Sequence, residues 1–350
     1  MSIPPLRVLV IDDSAYNRRK LTEMLESSRD IQVVGKAGDG EEALRLISSL
    51  RPDVVTLDLE MPRMDGFTFL RILMAKQPTP VVVVSSYSQK ENVFKALELG
   101  ALDFVAKPDR RILNDTEELR QKLVSKVLMV RNLRLVAKAA EPARTSQPPV
   151  LGEKQVQPGG PPRHVVVIAA STGGPTAVLE VFARLPSTLP IAVLVAQHMP
   201  EKFTRTFAER LDRRSGLRVQ EAQDFDSVVA HMGFVCPGRQ CMELAHLPHT
   251  NELRLRVTAP GPGDRYVPSA DRLFRSAAKA AGNQVTAIVL TGMGDDGTEG
   301  ARAIREAGGT VIAESQESAV VYGMPGSVIR AGLATRILSL QEIAEYVAAL

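Results

Sequence analysis

Short apolar runs alternate with amphipathic helical segments along the first 130 residues. The runs are rich in β-branched residues and have the length of strands: LRVLVID, IQVVGKA, DVVTLD, VVVVSS and DFVAKP. Between them, segments such as NRRKLTEMLESS, GEEALRLISSL and ENVFKALELG repeat apolar residues with the period of a helix. This alternation predicts a parallel sheet with helices on both faces.

The same alternation returns in the second half of the chain. Strand-like runs HVVVIAA, IAVLVAQ, TAIVLTG and TVIAES are separated by the helical patterns PTAVLEVFARL, TRTFAERLDRR, DRLFRSAAKAA and GTEGARAIREAG. We therefore predict a second doubly wound, mainly parallel α/β domain. Residues 217–258 lack helical periodicity, which indicates one or two hairpins inserted in this domain.

A polar segment separates the two halves. Residues 139–163 contain no aromatic residue and are dense in Pro, Gly, Gln and charge, so they bury too little apolar surface to fold alone. The preceding segment TEELRQKLVSKVLMVRNLRLVAKAA has helical period and predicts an amphipathic helix leading into this linker. We assign a first domain to residues 1–130, a helix extension and linker to 131–162, and a second domain to 163–350.

Composition narrows the class of protein. A chain of 350 residues is long for one core, and 44% hydrophobic with 24% charged residues is ordinary for a soluble protein. The net charge of +3, with basic and acidic residues mixed, disfavours a nucleic-acid partner. Neither a signal-peptide core nor an apolar stretch of membrane-spanning length is visible, so we predict a cytoplasmic protein without membrane insertion.

Acidic residues and a lysine follow the strand-like runs of the first half. In an open parallel sheet, side chains at the carboxyl ends of the strands meet at one edge. Those at this edge are Asp12, Asp13, Asp58, Ser85, Ser86 and Lys107. Three converging carboxylates repel one another unless a hard cation lies among them, which implies Mg²⁺, with the backbone carbonyl of Glu60 as a further ligand. Asp58 is then the candidate nucleophile towards phosphorus, with Lys107 and Ser85 stabilising the phosphoryl oxygens.

Together, the stretches DD, TLDLEMPRMDG, SS and FVAKP resemble the receiver domain of two-component response regulators. The resemblance covers about the first third of the chain and implies a flavodoxin-like fold. It also implies that Asp58 accepts phosphate from a histidine kinase, with Mg²⁺ bound. By the same resemblance, Ser85 and Phe104 form a switch pair.

Three different groups follow strands of the second half: Ser171, His198 and Asp296. Delivered to one edge of a sheet, they form a nucleophilic relay in which His198 takes the hydroxyl proton and the aspartate orients the ring. Their order along the chain differs from the Ser, acid, His order of α/β-hydrolases. Two glycines and a proline after the serine favour a sharp turn into a helix whose N-terminal end faces the site.

Other interpretations of these residues remain open from the residues alone. Ser171 is also suited to cap the following helix, and ASTGGP before a helix is suited to hold an anion. Asp295 and Asp296 are adjacent, and only one of them can point at His198. A non-enzymatic signalling protein is therefore the main rival hypothesis. A DNA-binding response regulator is a weaker one, because the chain ends in a large α/β domain of mixed charge.

The motifs ASTGGP, QHMP, YVPSADRLFRSAA, VLTGMGDDG and VVYGMP closely resemble the catalytic domain of chemotaxis protein-glutamate methylesterases. The resemblance implies a phosphorylation-activated serine hydrolase that demethylates glutamyl methyl esters on methyl-accepting chemoreceptors and can deamidate glutamines, with no metal in the hydrolysis. It places the catalytic acid at Asp296. Thr172, Met293 and Gly294 then lie on the oxyanion side of the site.

The two cysteines lie in the segment CPGRQCMELAHLPH, with His246 and His249 close behind. A zinc site is disfavoured, because the spacing is shorter than that of zinc fingers and the segment is typical of two short strands joined by a turn. Relatives often carry histidine where this chain has Cys241.

Overall fold

The structure is a computed structural model that divides into two compact units, Met1–Arg134 and Leu135–Leu350. The residues that the structure describes are 4–86, 90–107, 115–133, 159–247, 250 and 252–350.

The first unit alternates strands and helices, as the hydrophobic pattern predicts. Within its described residues, five strands form one parallel sheet in the order β2-β1-β3-β4-β5. Strand β2 pairs with one edge of β1, and β3 pairs with the other edge. A crevice therefore opens outside the carboxyl ends of β1 and β3. The elements are β1 Leu6–Ile11, α1 Ala15–Leu25, β2 Ile31–Ala37, α2 Gly40–Leu50, β3 Val54–Leu57, α3 Gly66–Lys76, β4 Val81–Ser86, α4 Lys90–Glu98, β5 Asp103–Lys107 and α5 Asp115–Leu128.

Local signals in the sequence explain where three of these helices begin. Ser14, Asp39 and Asp65 each accept hydrogen bonds from backbone N–H groups of the first turn of α1, α2 and α3. Helix α3 begins at Gly66. Glycine is required here because a Cβ at this position would lie 2.4 Å from the carbonyl oxygen of Asp58. The start of α3 therefore packs directly against the end of β3.

The amphipathic helix predicted before the linker is shorter than its sequence pattern. The α-helix ends at Leu128 and continues as a 3₁₀ turn over Met129–Asn132. Arg131 in this turn donates hydrogen bonds to Asp30 Oδ1 at 3.0 Å and to the carbonyl oxygen of Pro4 at 3.0 Å. The turn is thus fastened to the first unit, and the rest of the predicted helix lies outside the described residues.

The second unit repeats the architecture on a larger scale. Its described residues contain a seven-stranded parallel sheet in the order β15-β14-β13-β6-β7-β10-β8 and a three-stranded antiparallel sheet in the order β11-β12-β9. The elements are β6 His164–Ala170, α6 Gly174–Ala183, β7 Ile191–Gln197, α7 Glu201–Arg214, β8 Arg218–Glu221, β9 Ser227–Val228, β10 Met232–Val235, β11 Cys241–His246, β12 Leu253–Thr258, α8 Ala270–Ala281, β13 Val285–Val289, α9 Thr298–Glu306, β14 Thr310–Glu314, α10 Met324–Arg330, β15 Arg336–Leu338 and α11 Leu340–Ala348.

The central strands β6 and β7 are buried along almost their whole length, and β13 flanks β6 on the opposite side from β7. The strand order therefore reverses at β6. In open α/β sheets, ligand sites form outside the carboxyl ends of the strands at such a reversal. The prediction of two doubly wound α/β domains is confirmed.

The inserted segment 217–258 is only partly hairpin. The sequence predicts one or two hairpins here, but β8 and β10 join the large sheet as parallel strands beside β7. Only β11, β12 and β9 pair antiparallel, and β11–β12 is the true hairpin. The physical reason is that short apolar runs have the same pattern in either direction, so the packing of neighbours decides their pairing.

The end of the predicted linker packs on the second unit. A Cβ on Gly159 would lie 2.9 Å from the Cβ of Ala230, and the Gly160 carbonyl accepts a hydrogen bond from the Ala230 N–H at 3.0 Å. These residues, which the sequence assigns to the linker, therefore belong to the packed unit.

In the described part of the chain, no helix combines the length and the apolar character needed to cross a bilayer.

Candidate active site and acidic cluster

Three carboxylates meet at the crevice of the first unit. Asp12 follows β1, Asp58 follows β3, and each offers an oxygen within 4.8 Å of the others and of one from Asp13. Asp12 and Asp58 are buried, whereas Asp13 is exposed. Such a group of closely spaced oxygens matches the ligand chemistry of a hard divalent cation. The structure thus brings together the three acids that the sequence singles out.

Lys107 neutralises two of these acids. Its Nζ lies 2.8 Å from Asp12 Oδ2 and 2.5 Å from Asp58 Oδ2. Burial raises the pKa of Asp58, because the ionised form loses solvation, and the attraction of Lys107 opposes this only in part. Burial acts to lower the pKa of Lys107, but the two carboxylates outweigh it and the pKa lies above its usual value. The ammonium group therefore stays charged beside the candidate phosphoryl acceptor.

The remaining predicted residues of the first unit lie after β3 or on strands β4 and β5. The backbone N–H of Glu60 lies 3.5 Å from Asp58 Oδ1. Ser85 and Phe104 lie on the neighbouring strands β4 and β5 and are both buried. The pairing of Val83 with Phe104 puts Ser85 and Phe104 on the same face of the sheet, two positions apart. Ser85 and Phe104 therefore face the same side of the sheet on adjacent strands.

In the second unit, the histidine and the aspartate meet at the carboxyl edge of the large sheet. His198 follows β7 and Asp296 lies in the loop after β13, yet His198 Nε2 is 2.8 Å from Asp296 Oδ2. The Asp296 side chain is nearly fully buried, and the His198 side chain is 16% exposed. Because a carboxylate only accepts, Nε2 carries the proton and Nδ1 is the nitrogen left to act as a base.

Asp296 is held by the start of helix α8. Its carboxylate accepts hydrogen bonds from the backbone N–H groups of Ala270 at 2.8 Å, Asp271 at 3.0 Å and Gly297 at 3.0 Å. The helix N-terminus and these donors stabilise the negative charge. The neighbouring Asp295 instead points outward. The structure therefore places Asp296, and not Asp295, against the histidine.

Ser171 lies at the end of β6, and its backbone is fixed on both sides. Its N–H donates to the carbonyl oxygen of Thr291 at 3.1 Å, and its own carbonyl accepts from Gln197 Nε2 at 2.8 Å and from the Gly174 N–H at 2.9 Å. The Ser171 hydroxyl forms no hydrogen bond with any residue that the structure describes. The three predicted relay residues therefore lie at one edge of the sheet, where the hydrogen bond between His198 and Asp296 is formed.

The predicted oxyanion-side residues border Ser171. Thr172 is buried, and its carbonyl accepts a hydrogen bond from Thr291 Oγ1 at 2.9 Å. Met293 is 43% exposed, and Gly294 has a φ of +94°, a conformation that favours glycine. Of these residues, Thr172 is enclosed and Met293 faces solvent.

Sequence reasoning missed two residues of this site. Gln197 is a buried residue at the end of the apolar strand β7, and its side-chain amide donates a hydrogen bond to the Ser171 carbonyl. The signal in the sequence is that Gln197 is a polar residue at the end of an apolar run. Tyr266 stacks on His198, with ring centroids 5.3 Å apart and an interplanar angle of 6°. Tyr266 lies in the motif YVPSADRLFRSAA, but its long separation in sequence from His198 gives no signal of this contact.

Comparison with known proteins decides the family. A family model described as "CheB methylesterase" matches residues 166–347, and a model described as "Response regulator receiver domain" matches residues 8–123. The chain belongs to the CheB methylesterase family. The two resemblances that the motifs indicate are thereby confirmed.

Relatives of this CheB methylesterase family match along nearly the whole chain. The chain is 48% identical over 345 residues to protein-glutamate methylesterase/protein-glutamine glutaminase 1 of Myxococcus xanthus, covering 99% of this chain and 97% of the relative. It is 51% identical over 341 residues to protein-glutamate methylesterase/protein-glutamine glutaminase 6 of Anaeromyxobacter dehalogenans, covering 97% and 93%. The crystal structure of the Thermotoga maritima CheB methylesterase catalytic domain matches 53% of this chain and 97% of that chain, with 36% identity and a TM-score of 0.51.

In this family member, Cys236 follows strand β10 and Cys241 begins strand β11. Cys236 and Cys241 are both buried and free. Among the described residues, neither cysteine belongs to a group of side chains close enough to share a metal ion. His249 lies outside the described residues. Cys241 Sγ instead lies 3.8 Å from Asp264 Oδ2, as a weak donor.

Proposed function

We propose that this chain is a phosphorylation-activated protein-glutamate methylesterase that acts on methyl-accepting chemoreceptors and can also deamidate their glutamines. The single observation that carries the proposal is the 2.8 Å contact between His198 and Asp296 beside Ser171. This arrangement forms at the strand-order reversal of the large sheet, in a chain that belongs to the CheB methylesterase family.

In the first chemical step, Ser171 Oγ attacks the carbonyl carbon of the glutamyl methyl ester. Its proton passes to His198 Nδ1, because Nε2 is already bonded to Asp296. The imidazolium that forms is stabilised by the Asp296 carboxylate. The negative oxygen of the tetrahedral intermediate develops beside Thr172, Met293 and Gly294, where it is stabilised by hydrogen-bond donors.

The intermediate then collapses with release of methanol. The C–O bond to the methoxy group breaks, and that oxygen takes the proton from His198 Nδ1, which leaves an acyl-enzyme on Ser171. Water, deprotonated by the same nitrogen, attacks the acyl carbon, and the serine leaves with the proton. The products are glutamate and methanol. A glutamine substrate follows the same path and releases ammonia in place of methanol. Neither sequence of steps uses a metal ion.

The acidic cluster of the first unit is the phosphoryl-acceptor site of this proposal. Asp58 attacks the phosphorus of a phosphohistidine on the donor kinase, and the P–N bond breaks as the new P–O bond forms. The oxygen set of Asp12, Asp13 and Asp58, with the Glu60 carbonyl, fits Mg²⁺. When bound there, Mg²⁺ would neutralise charge on the phosphoryl oxygens. Lys107, which contacts both Asp12 and Asp58, contributes positive charge to the same cluster.

Phosphorylation of Asp58 relieves inhibition of the esterase in this proposal. Ser85 moves its hydroxyl to the phosphoryl group and Phe104 changes its packing, which shifts the population towards the active form. Residues 131–162 connect the two domains.

Two buried, free cysteines fit a reducing compartment, which supports a cytoplasmic location.

The test is methanol release from a methylated receptor fragment, measured with a small phosphodonor and Mg²⁺ and without them. We expect wild type to release methanol, Ser171→Ala to release none, and Asp58→Asn to keep only the unstimulated rate. Ser315→Ala, directly after strand β14 and two strands away from β6, serves as the matched control and should retain activity. Absence of methanol from wild type under every condition would contradict the esterase and favour an anion-binding signalling module.

A further inference from the structure

The aromatic ring of Tyr266 covers one face of the His198 imidazole. The rings are almost parallel, at 6°, and their centroids are 5.3 Å apart. This is the offset geometry in which aromatic groups attract one another. Neither the relay described above nor the oxyanion side uses this contact, which brings together residues 68 positions apart in the sequence.

The opposite end of Tyr266 is tied to the loop after β13. Its hydroxyl donates a hydrogen bond to Asp295 Oδ1 at 2.9 Å, and a Cβ on Gly294 would lie 2.4 Å from Tyr266 Oη. Burial raises the pKa of Tyr266, and Asp295 adds to this, so the hydroxyl remains protonated and keeps donating. One side chain thus spans from the histidine to the oxyanion-side loop.

The segment that carries Tyr266 is itself anchored. Asp264, two residues before it, accepts from the Gly261 N–H at 2.7 Å and from Arg272 at 2.9 Å, and contacts the Cys241 thiol at 3.8 Å. Arg272 also contacts Glu243 at 3.2 Å. The inserted antiparallel sheet and helix α8 therefore hold this segment in place from two sides, and Cys241 belongs to that support.

We propose that Tyr266 is a positioning residue for the hydrolysis proposed above, on which this inference rests. The single hydrogen bond to Asp296 fixes His198 Nε2 but leaves the ring free to turn about the line between the two atoms. Stacking on Tyr266 restricts that rotation. The contact thereby keeps Nδ1 directed at the serine, and a loss of such alignment is costly in rate.

The kinetic test compares three variants of the full chain, activated with phosphodonor and Mg²⁺. Tyr266→Leu removes the ring, Tyr266→Phe keeps the ring and removes the hydroxyl, and Tyr346→Leu is the matched control. Each tyrosine has an arginine near its ring, at 5.4 Å for Tyr266 and at 5.2 Å for Tyr346. Tyr346, however, belongs to helix α11. We expect Tyr266→Leu to lower kcat for methanol release by about 10- to 100-fold with little change in KM. Tyr266→Phe should stay within about three-fold of wild type, since stacking needs no hydroxyl.

A second readout reports on His198 directly. In protein labelled with ¹⁵N-histidine, the Nε2 proton shared with Asp296 should give a slowly exchanging signal in wild type and Tyr266→Phe. The same proton should exchange faster in Tyr266→Leu. Unchanged kcat and unchanged exchange in Tyr266→Leu would overturn the proposal, as would an equal loss of kcat in Tyr266→Phe or Tyr346→Leu. If wild type released no methanol, the proposed function would fail, and the exchange of this proton would still decide whether Tyr266 orders the ring.

Discussion

The carboxylate of Glu314 accepts a hydrogen bond from the backbone N–H of Thr291 at 2.7 Å. Thr291 in turn holds the backbone N–H of Ser171 through its carbonyl oxygen. Glu314 also accepts from Ser318 Oγ at 2.9 Å and is almost fully buried. Burial raises its pKa to about 7, although both hydrogen bonds favour the ionised form. A titratable group therefore lies two hydrogen bonds away from the candidate nucleophile.

This pKa predicts a pH-dependent stability. The folded chain keeps the Glu314 proton up to about pH 7, whereas the unfolded chain releases it near the ordinary value of 4.5. The unfolded state thus binds fewer protons in that interval, and the free energy of unfolding falls as pH rises from 4.5 to 7, by about 3 kcal/mol. Glu314→Gln should lose this decrease and be more stable than wild type at pH 8. Urea unfolding at pH 5 and pH 8 measures the difference, and equal pH dependence in both proteins would count against it.

The two adjacent aspartates should differ sharply in their effect on catalysis. Asp296→Asn puts an amide donor among backbone N–H groups and removes the charge that stabilises the imidazolium, so kcat should fall by about 10³- to 10⁴-fold. Asp295→Asn keeps an oxygen that can accept from the Tyr266 hydroxyl and removes the charge paired with Arg265, so it should cost less than about ten-fold. Initial rates of methanol release compare the two, and equal losses would refute the assignment of the acid.

Removal of Mg²⁺ should separate the two domains functionally. With EDTA, we expect the phosphodonor to give no stimulation, because Asp12, Asp13 and Asp58 then repel the incoming phosphoryl group. Unstimulated methanol release should persist, at the same rate as in Asp58→Asn. The measurement is methanol release with EDTA and after re-addition of Mg²⁺. Loss of the unstimulated rate with EDTA would mean that hydrolysis itself needs a metal.

Gly292 should tolerate no side chain. A Cβ there would lie 2.4 Å from Met324 Sδ and 2.8 Å from Ser171 Cβ. Gly292→Ala should therefore lower the free energy of unfolding by about 1–3 kcal/mol and reduce methanol release, because the serine is displaced. Gly263→Ala is the matched control, since nothing lies within 4 Å of its Cβ position. Urea unfolding and initial rates test both variants, and a Gly292→Ala protein that matches wild type would contradict this packing argument.

Much of the architecture could be predicted because it depends on local patterns. Strands such as β6 and β7 are continuous apolar runs, and the helices between them have apolar residues at helical spacing. Once a parallel sheet is inferred, the rule that strand ends share an edge brings Ser171, His198 and Asp296 together before any coordinates are known. The linker and the motifs of both domains follow from composition and spacing in the same way.

The sequence alone thus determined the two α/β domains, the acidic cluster and the set of relay residues, because each depends on short-range periodicity or on the position of a residue after a strand. Only the tertiary structure decided that β8 and β10 run parallel in the large sheet and that Tyr266 stacks on the histidine. These features depend on contacts between residues far apart in the chain. Side-chain direction and strand pairing at such contacts are set by packing, for which a linear pattern carries no signal.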